Sequence, residues 1–329
     1  MYKIKISELT ELLEKILVKN RLTKSEARIV AEDYVTGELD GKFSHGILAF
    51  LNMPKILAVG VDKKPKIVKQ STGHAYINGN QGLGQLVAQF ARELVIKKAK
   101  KNGIAMVGIA NHLNFLRPGT QAEKIAEKGF IAIVGNNGGR NMVTPAGGVD
   151  PILATNPLGI AIPTSSSPIV ADLATSKRAW GEISISKRAG RNLPAETYFD
   201  TAGNFTLDPN QANSVVPFGD FKGYVICLLL EILTGSLVNM PMGKRLERDT
   251  PAALRGSFFI AIDPMKFGGI ANFLKMNTKL INEIKRSRPQ KGKKISIPGE
   301  RSRLHKRSAL KRGHLEIADD IWEELQKML

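Results

Sequence analysis

Apolar residues first recur at helical spacing in SELTELLEKILVK, residues 7–19. Leu9, Leu13, Ile16 and Leu17 fall on one stripe, and Ser7 stands where a cap belongs, so a helix is predicted. Thr23 and Glu26 have the spacing of a capping box, which predicts a second helix running to about Gly41. From residue 74 the pattern changes. HAYING, 74–79, reads as a short strand, and the next stretch reads as a helix. That helix carries Leu86, Phe90 and Leu94 on one side and is closed by Gly103. IAMVGIA, 104–110, is short and rich in branched residues, as a buried strand is. A helix is predicted over 119–128.

GFIAIVGN, LGIAIP and PIVADLA follow as three strands with only loops between them. KGYVICLLLEILTGSL predicts a long buried helix. GSFFIAIDP is a further strand, and 269–286 and 316–328 read as helices. Strands and helices mix without strict alternation, and no internal repeat is visible. The expected fold class is α/β: a mixed, largely antiparallel sheet covered by helices, not a Rossmann fold.

Composition supports a folded chain with a sizeable core: 329 residues, 43% hydrophobic and 24% charged. The single cysteine, Cys227, lies in an apolar run and reads as packing, which suits a reducing cytoplasm. The N-terminus lacks the uninterrupted apolar core of a signal peptide, and no run approaches the ~18 apolar residues of a membrane span. Net charge is +18, and a local balance of +11 sits between Lys285 and Arg312, where twelve Lys or Arg accompany one acid, Glu300. No zinc spacing, RNA-binding aromatic motif or helix-turn-helix signature accompanies that segment. It reads as a solvated or phosphate-facing tail rather than a nucleic-acid site.

The glycines Gly79, Gly82 and Gly84 invert the spacing of a dinucleotide fingerprint, and no acidic residue closes the next strand. They read as a turn into a helix. No His or Cys pair has metal-ligand spacing, and no Gly-x-Ser-x-Gly elbow is present. Among the five histidines, His45 in FSHG stands out: Ser44 can fix its ring and Gly46 allows a sharp turn. The loops TPAGG (144–148), ATNPLG (154–159) and VPFGDFKG (216–223) are built for backbone contacts, and Lys222 opens a helix where it can hold a phosphate.

FSHGI, ATNPLGIAIP, PIVADLATS, GRNLP, DTAGNFTLDP, FKGY, FFIAIDP and IPGE occur in that order. With these motifs in register over essentially its whole length, the chain resembles the malate/L-lactate/L-sulfolactate dehydrogenase family. NHLNFLRPG and the ending DDIWEELQKML look most like its 2,3-diketo-L-gulonate reductase members. The resemblance implies a non-Rossmann fold and the interconversion of small 2-keto and 2-hydroxy acids, or related imines, with NAD or NADP. It also implies a cytoplasmic homodimer with the active site between subunits, and no membrane or nucleic-acid partner. One catalytic unit spans 1–329. Within it, 1–70 and 265–329 form a mainly helical substrate and oligomer lobe, and 71–264 form a cofactor-binding lobe.

Carried over residue by residue, the resemblance makes His45 the group that donates the proton or polarises the carbonyl, beside Ser44 in the substrate site. Cofactor contacts fall on Thr120, Thr155, Asn156, Pro168, Ile169, Val170, Ala171, Asp172, Leu173, Ala174, Phe221, Lys222, Gly299, Glu300 and Arg301. Two positions depart from the family pattern. Ala49 stands where many members carry an arginine for the substrate carboxylate, and Asn114 stands where several carry an acid/base histidine. Asn114 can hydrogen-bond a carbonyl but cannot titrate. His112, two residues earlier, would share its face, but about 6–7 Å separates such Cα atoms. The expected roles are His45 as acid/base, Asn114 orienting substrate and Arg117 taking the anion in place of Ala49. The alternative is a member that keeps its fold and cofactor site, has reduced or lost turnover, and acts as a binding protein.

Overall fold

The computed structural model of the chain describes residues 1–58, 63–245 and 254–329. Strand β1 (Tyr2–Lys5) leads into α1 (Ile6–Lys19) and α2 (Lys24–Leu39). The α1 stripe of Leu9, Leu13, Ile16 and Leu17 is buried, each side chain contributing about 1.5–3 kcal/mol. At α2 both halves of the capping box form: Glu26 N–H donates to the Thr23 hydroxyl, and the Glu26 carboxylate accepts from Thr23 N–H. Ser7 is not a cap. The helix already starts at Ile6, because β1 pairs antiparallel with β11 (His314–Ile317) and delivers the chain one residue earlier.

A short 3-10 turn over Phe43–His45, then α3 (Ile47–Phe50) and α4 (Met53–Leu57), connect to the main sheet. Its strands are β2 (Lys66–Gln70), β3 (His74–Gly82), β4 (Ile104–His112), β5 (Ile131–Asn136), β6 (Leu158–Ile162), β7 (Ile169–Leu173) and β10 (Arg255–Ile262). Among the described residues their order is β2-β3-β4-β10-β5-β6-β7. β3 and β4 are parallel and joined by α5 (Gly84–Asn102), the crossover that parallel neighbours require. The other pairs are antiparallel, so the sheet is mixed and largely antiparallel, as the strand succession predicts. Helices α5 and α6 (Pro118–Ala126) cover one face, over a core that includes Val87, Val95, Ile125, Val107, Val134 and Phe259.

The glycine-rich turn has a packing cause. A Cβ on Gly84 would lie 2.2 Å from the Leu113 carbonyl, so only glycine lets α5 start against residues 113–114. A smaller lobe carries α7 (Gly181–Arg188) and the pair β8 (Tyr198–Phe199) and β9 (Ser214–Val215).

Two expectations need correction. Helix α8 (Phe221–Thr234) is not buried all round: Phe221, Leu229 and Ile232 are exposed, and the stretch 221–238 is long and apolar enough by composition to cross a bilayer, contrary to the sequence reading. The basic segment is not a tail. After α9 (Ile270–Arg286), its second half forms α10 (Glu300–Arg312), which buries only Ala309, keeps Arg303 and Lys306 half-buried and leaves Arg301, Arg307, Lys311 and Arg312 exposed. The terminal helix is accordingly shorter, α11 (Asp319–Gln326).

Candidate active site

The Ser-His-Gly turn is clamped by its neighbours. The Glu38 carboxylate accepts from Ile47 N–H at 2.7 Å, and a Cβ on Gly46 would lie 2.2 Å from that carboxylate. A Cβ on Gly37 would meet the His45 carbonyl at 2.3 Å, so α2 approaches the turn through glycine. Burial pushes the Glu38 carboxyl up to about 7. Ser44 Oγ lies 2.9 Å from His45 Nδ1 and fixes the ring. Burial pulls the His45 pKa down to about 4. Asp172 opposes that shift, while Arg117, Lys42 and Arg255 reinforce it, so the ring is neutral at neutral pH.

His45 lines a cavity of about 240 Å³ with Ser44, Asn114, Thr155, Trp180 and Arg255. Asn114 Oδ1 accepts from Leu116 N–H at 2.9 Å, which fixes the side chain within its own loop. His112 does not line the cavity. It is fully buried between β4 and β10, stacked on Phe115 with ring centroids 5.5 Å apart. Its Nδ1 lies 2.8 Å from the Leu113 carbonyl, and its Nε2 lies 2.6 Å from Ser257 Oγ, which itself donates to Asn136 Oδ1 at 2.8 Å.

Arg117 is not a free anion receptor. Its guanidinium is bound by Asp40 at 2.6 Å and Asp172 at 3.3 Å, and both side-chain partners are largely buried. The sequence offers no sign of this, because the two carboxylates lie 77 and 55 residues away.

A second cavity, about 660 Å³, adjoins the first along Lys42, Arg117, Asp172 and Leu173. Its walls are the N-terminal turn of α6 with Gly119 and Thr120, strand β7, and the loop and first turns of α10 from Ser296 to Arg307. The edge strand is closed by that loop: Val170 N–H donates to the Pro298 carbonyl, and Arg303 Nη1 donates to the Pro168 carbonyl at 2.8 Å. Gly299 has φ +87° and sits against Val170 and Arg303 with no room for a side chain.

Of the residues expected to touch cofactor, Thr120, Pro168, Val170, Ala171, Asp172, Leu173, Gly299 and Arg301 line this larger cavity, while Thr155 and Ala174 line the smaller one. Five others line neither. Ile169 is absent from both walls, and Asn156 is buried with its amide donating to Glu231 at 2.6 Å. Glu300 is paired with Lys285, and Phe221 and Lys222 are exposed at the start of α8. Residues that sequence reasoning passed over include Asp40, Lys42, Trp180, Arg255, Arg303 and Lys306; the folded chain gathers them from distant segments.

The larger cavity suits a group bearing phosphates. The start of α10 opens on it and Arg301, Arg303, Lys306 and Arg307 line it, opposite Asp40, Glu123, Glu127 and Asp172, the last of which already takes the Gly119 N–H of α6. Its volume is that of a cofactor site. These residues fit a nicotinamide dinucleotide.

A family model described as malate/L-lactate dehydrogenase matches residues 4–326. A malate/(S)-sulfolactate dehydrogenase from Methanothermus fervidus is 34% identical, over 96% of this chain and 94% of that protein. The structure of a sulfolactate dehydrogenase from Methanocaldococcus jannaschii superposes with a TM-score of 0.90 at 32% identity, over 99% of this chain and 96% of that one. A malate dehydrogenase structure from Entamoeba histolytica gives a TM-score of 0.93 at 25% identity, over 99% and 97% of the two chains.

Proposed function

This chain belongs to the malate/L-lactate dehydrogenase family, and from that membership and its two adjoining cavities we propose that it interconverts a small 2-keto acid and the 2-hydroxy acid, with His45 carrying the proton. It is an oxidoreductase of the hydroxy/keto-acid class, and the family implies a nicotinamide cofactor. The observation that carries the proposal is that His45 and Asp172 line one cavity, and that Asp172 also lines the phosphate-friendly one beside it.

When bound, the reduced cofactor would supply a hydride to C2 of the keto acid, and the oxidised cofactor would take one from C2 of the hydroxy acid. Arg301, Arg303 and Lys306, with the start of α10, would hold its phosphates. Asp172 is braced by Arg117 and by Gly119 N–H at 3.1 Å, so it keeps β7 and the α6 start in register where the two cavities meet.

In the oxidation direction neutral His45 takes the hydroxyl proton; its depressed pKa keeps the ring unprotonated and able to accept, at the cost of making it a weaker base. In reduction the proton must come from the same ring. An anionic substrate offsets the field of Arg255 and Lys42 and raises the affinity of His45 for that proton. Asn114 steadies the C2 oxygen, and Trp180 and Leu116 exclude water. A homodimer forms through the exposed apolar face of α8, including Leu229 and Ile232, continued by Leu237 in the turn that follows the helix.

Titrating the protein with NADH and NADPH by nicotinamide fluorescence, then screening 2-keto acids and cyclic imines, tests the reading. Binding of at least one cofactor and oxidation of it by a 2-keto acid are expected; failure to bind either contradicts the proposal. Ala49 and Asn114 favour a second reading, in which the chain binds cofactor without turnover. Turnover that disappears in His45→Ala eliminates it.

A further inference from the structure

Two arginines reach the His45 cavity, and they differ in their partners. Arg117 is neutralised by Asp40 and Asp172. Arg255 has no carboxylate partner among the described residues. Its Nη1 donates to the Asn137 carbonyl at 2.6 Å, and its Nε is buried without any partner. A Cβ on Gly139 would lie 2.8–3.0 Å from the guanidinium, so the 137–139 loop lies directly on it through glycine. Gly256, the next residue, has no room for a Cβ either, because the Thr234 carbonyl would be 1.8 Å away. The start of β10 is thus held between that loop and the end of α8. Burial alone pulls the Arg255 pKa down to about 10, which leaves the side chain charged at neutrality.

A charge enclosed without a counter-charge is costly, and an entering anion removes that cost. The position where the family resemblance expects an arginine is occupied by Ala49, which packs on the hydrophobic core of the N-terminal helices. We propose that Arg255 is the carboxylate receptor of this cavity, so that the site takes a small 2-oxo acid with its carboxylate on the guanidinium and its C2 oxygen toward His45 and Asn114. The proposal rests on the reading of the His45 cavity as the substrate site. A cavity of about 240 Å³ sets the size: an acid of a few carbons fits beside a nicotinamide. With Arg117 occupied, Arg255 offers one fork to one carboxylate.

The test is calorimetric binding of oxamate, which carries a carboxylate, and of oxamide, which carries none. Wild type, Arg255→Met and Arg255→Gln are compared in the presence of reduced nicotinamide, whose own binding is measured first. Oxamate binding is expected to weaken on the order of 100-fold in both variants, with cofactor and oxamide binding unchanged. Arg255→Gln keeps a polar, hydrogen-bonding side chain at this position and so covers the case in which Arg255→Met fails to fold. Oxamate binding as tight in Arg255→Gln as in wild type overturns the proposal and leaves the oxidoreductase reading standing. Equal losses of oxamate and oxamide also overturn it, because they assign Arg255 to holding the loop. A wild type that binds neither cofactor nor oxamate removes both readings.

Discussion

The surroundings of His45 and His112 make an instructive pair. Burial holds each imidazole neutral, with a pKa of about 4. His112 has spent both ring nitrogens, one on the Leu113 carbonyl and one on Ser257, and its face is covered by Phe115. His45 has one nitrogen held by Ser44, and its ring lines a cavity. A shifted pKa therefore does not distinguish a working histidine from a packed one. A free nitrogen facing space for a substrate does. The arginines repeat the lesson: Arg117 and Arg255 line the same cavity, but only Arg117 is matched by carboxylates among the described residues.

The largest expected effect comes from His45→Ala. Removing the acid/base lowers kcat by roughly 10²–10⁴-fold with cofactor binding retained, read by steady-state kinetics and fluorescence titration. Arg117→Met comes next. It leaves Asp40 and Asp172 without their shared cation and should lower stability by about 3–5 kcal/mol in denaturant unfolding. If stability holds, Arg117 is not the compensated partner in the comparison.

The smallest effect concerns pH. The folded His112 pKa lies below the ordinary 6.5, so the unfolded chain binds more protons between about 4 and 6.5, and stability falls as pH drops through that window. The slope from this residue is roughly 1.4 kcal/mol per pH unit at most. His112→Gln should flatten that part of the stability curve while leaving turnover per folded molecule close to wild type. A collapse of turnover with full stability would move His112 into the chemistry.

Local signals made much of the fold legible. Thr23 and Glu26 announced α2, the stripe from Leu9 to Leu17 announced α1, and the branched runs announced β4 to β7 and β10. What stayed hidden depends on residues far apart. Tyr2–Lys5 becomes a strand only because the other end of the chain reaches it. The segment 285–312 reads as a solvated or phosphate-facing tail, not as a helix, because only Ala309 of residues 300–312 is buried. The apolar run of α8 gave little sign of which side would be covered, and its acid, Glu231, lies on the buried side. The site divides in the same way. His45, Ser44 and Asp172 were found through short motifs, and they line the cavities. Arg255 opens β10 as any basic residue can, and only folding encloses it. Arg117 looked available because its acids come from Asp40 and Asp172, on other elements.

The central claim is that the imidazole at 45, not the one at 112, carries the proton that accompanies hydride transfer. Its most direct test is single-turnover oxidation of enzyme-bound reduced nicotinamide by a 2-keto acid in His45→Gln and His112→Gln, across pH. The account predicts that His45→Gln loses most of the rate and that the rate it keeps no longer varies with pH in the range where the wild type does, while His112→Gln follows the wild-type profile. A His45→Gln profile that matches wild type in both height and shape would contradict it.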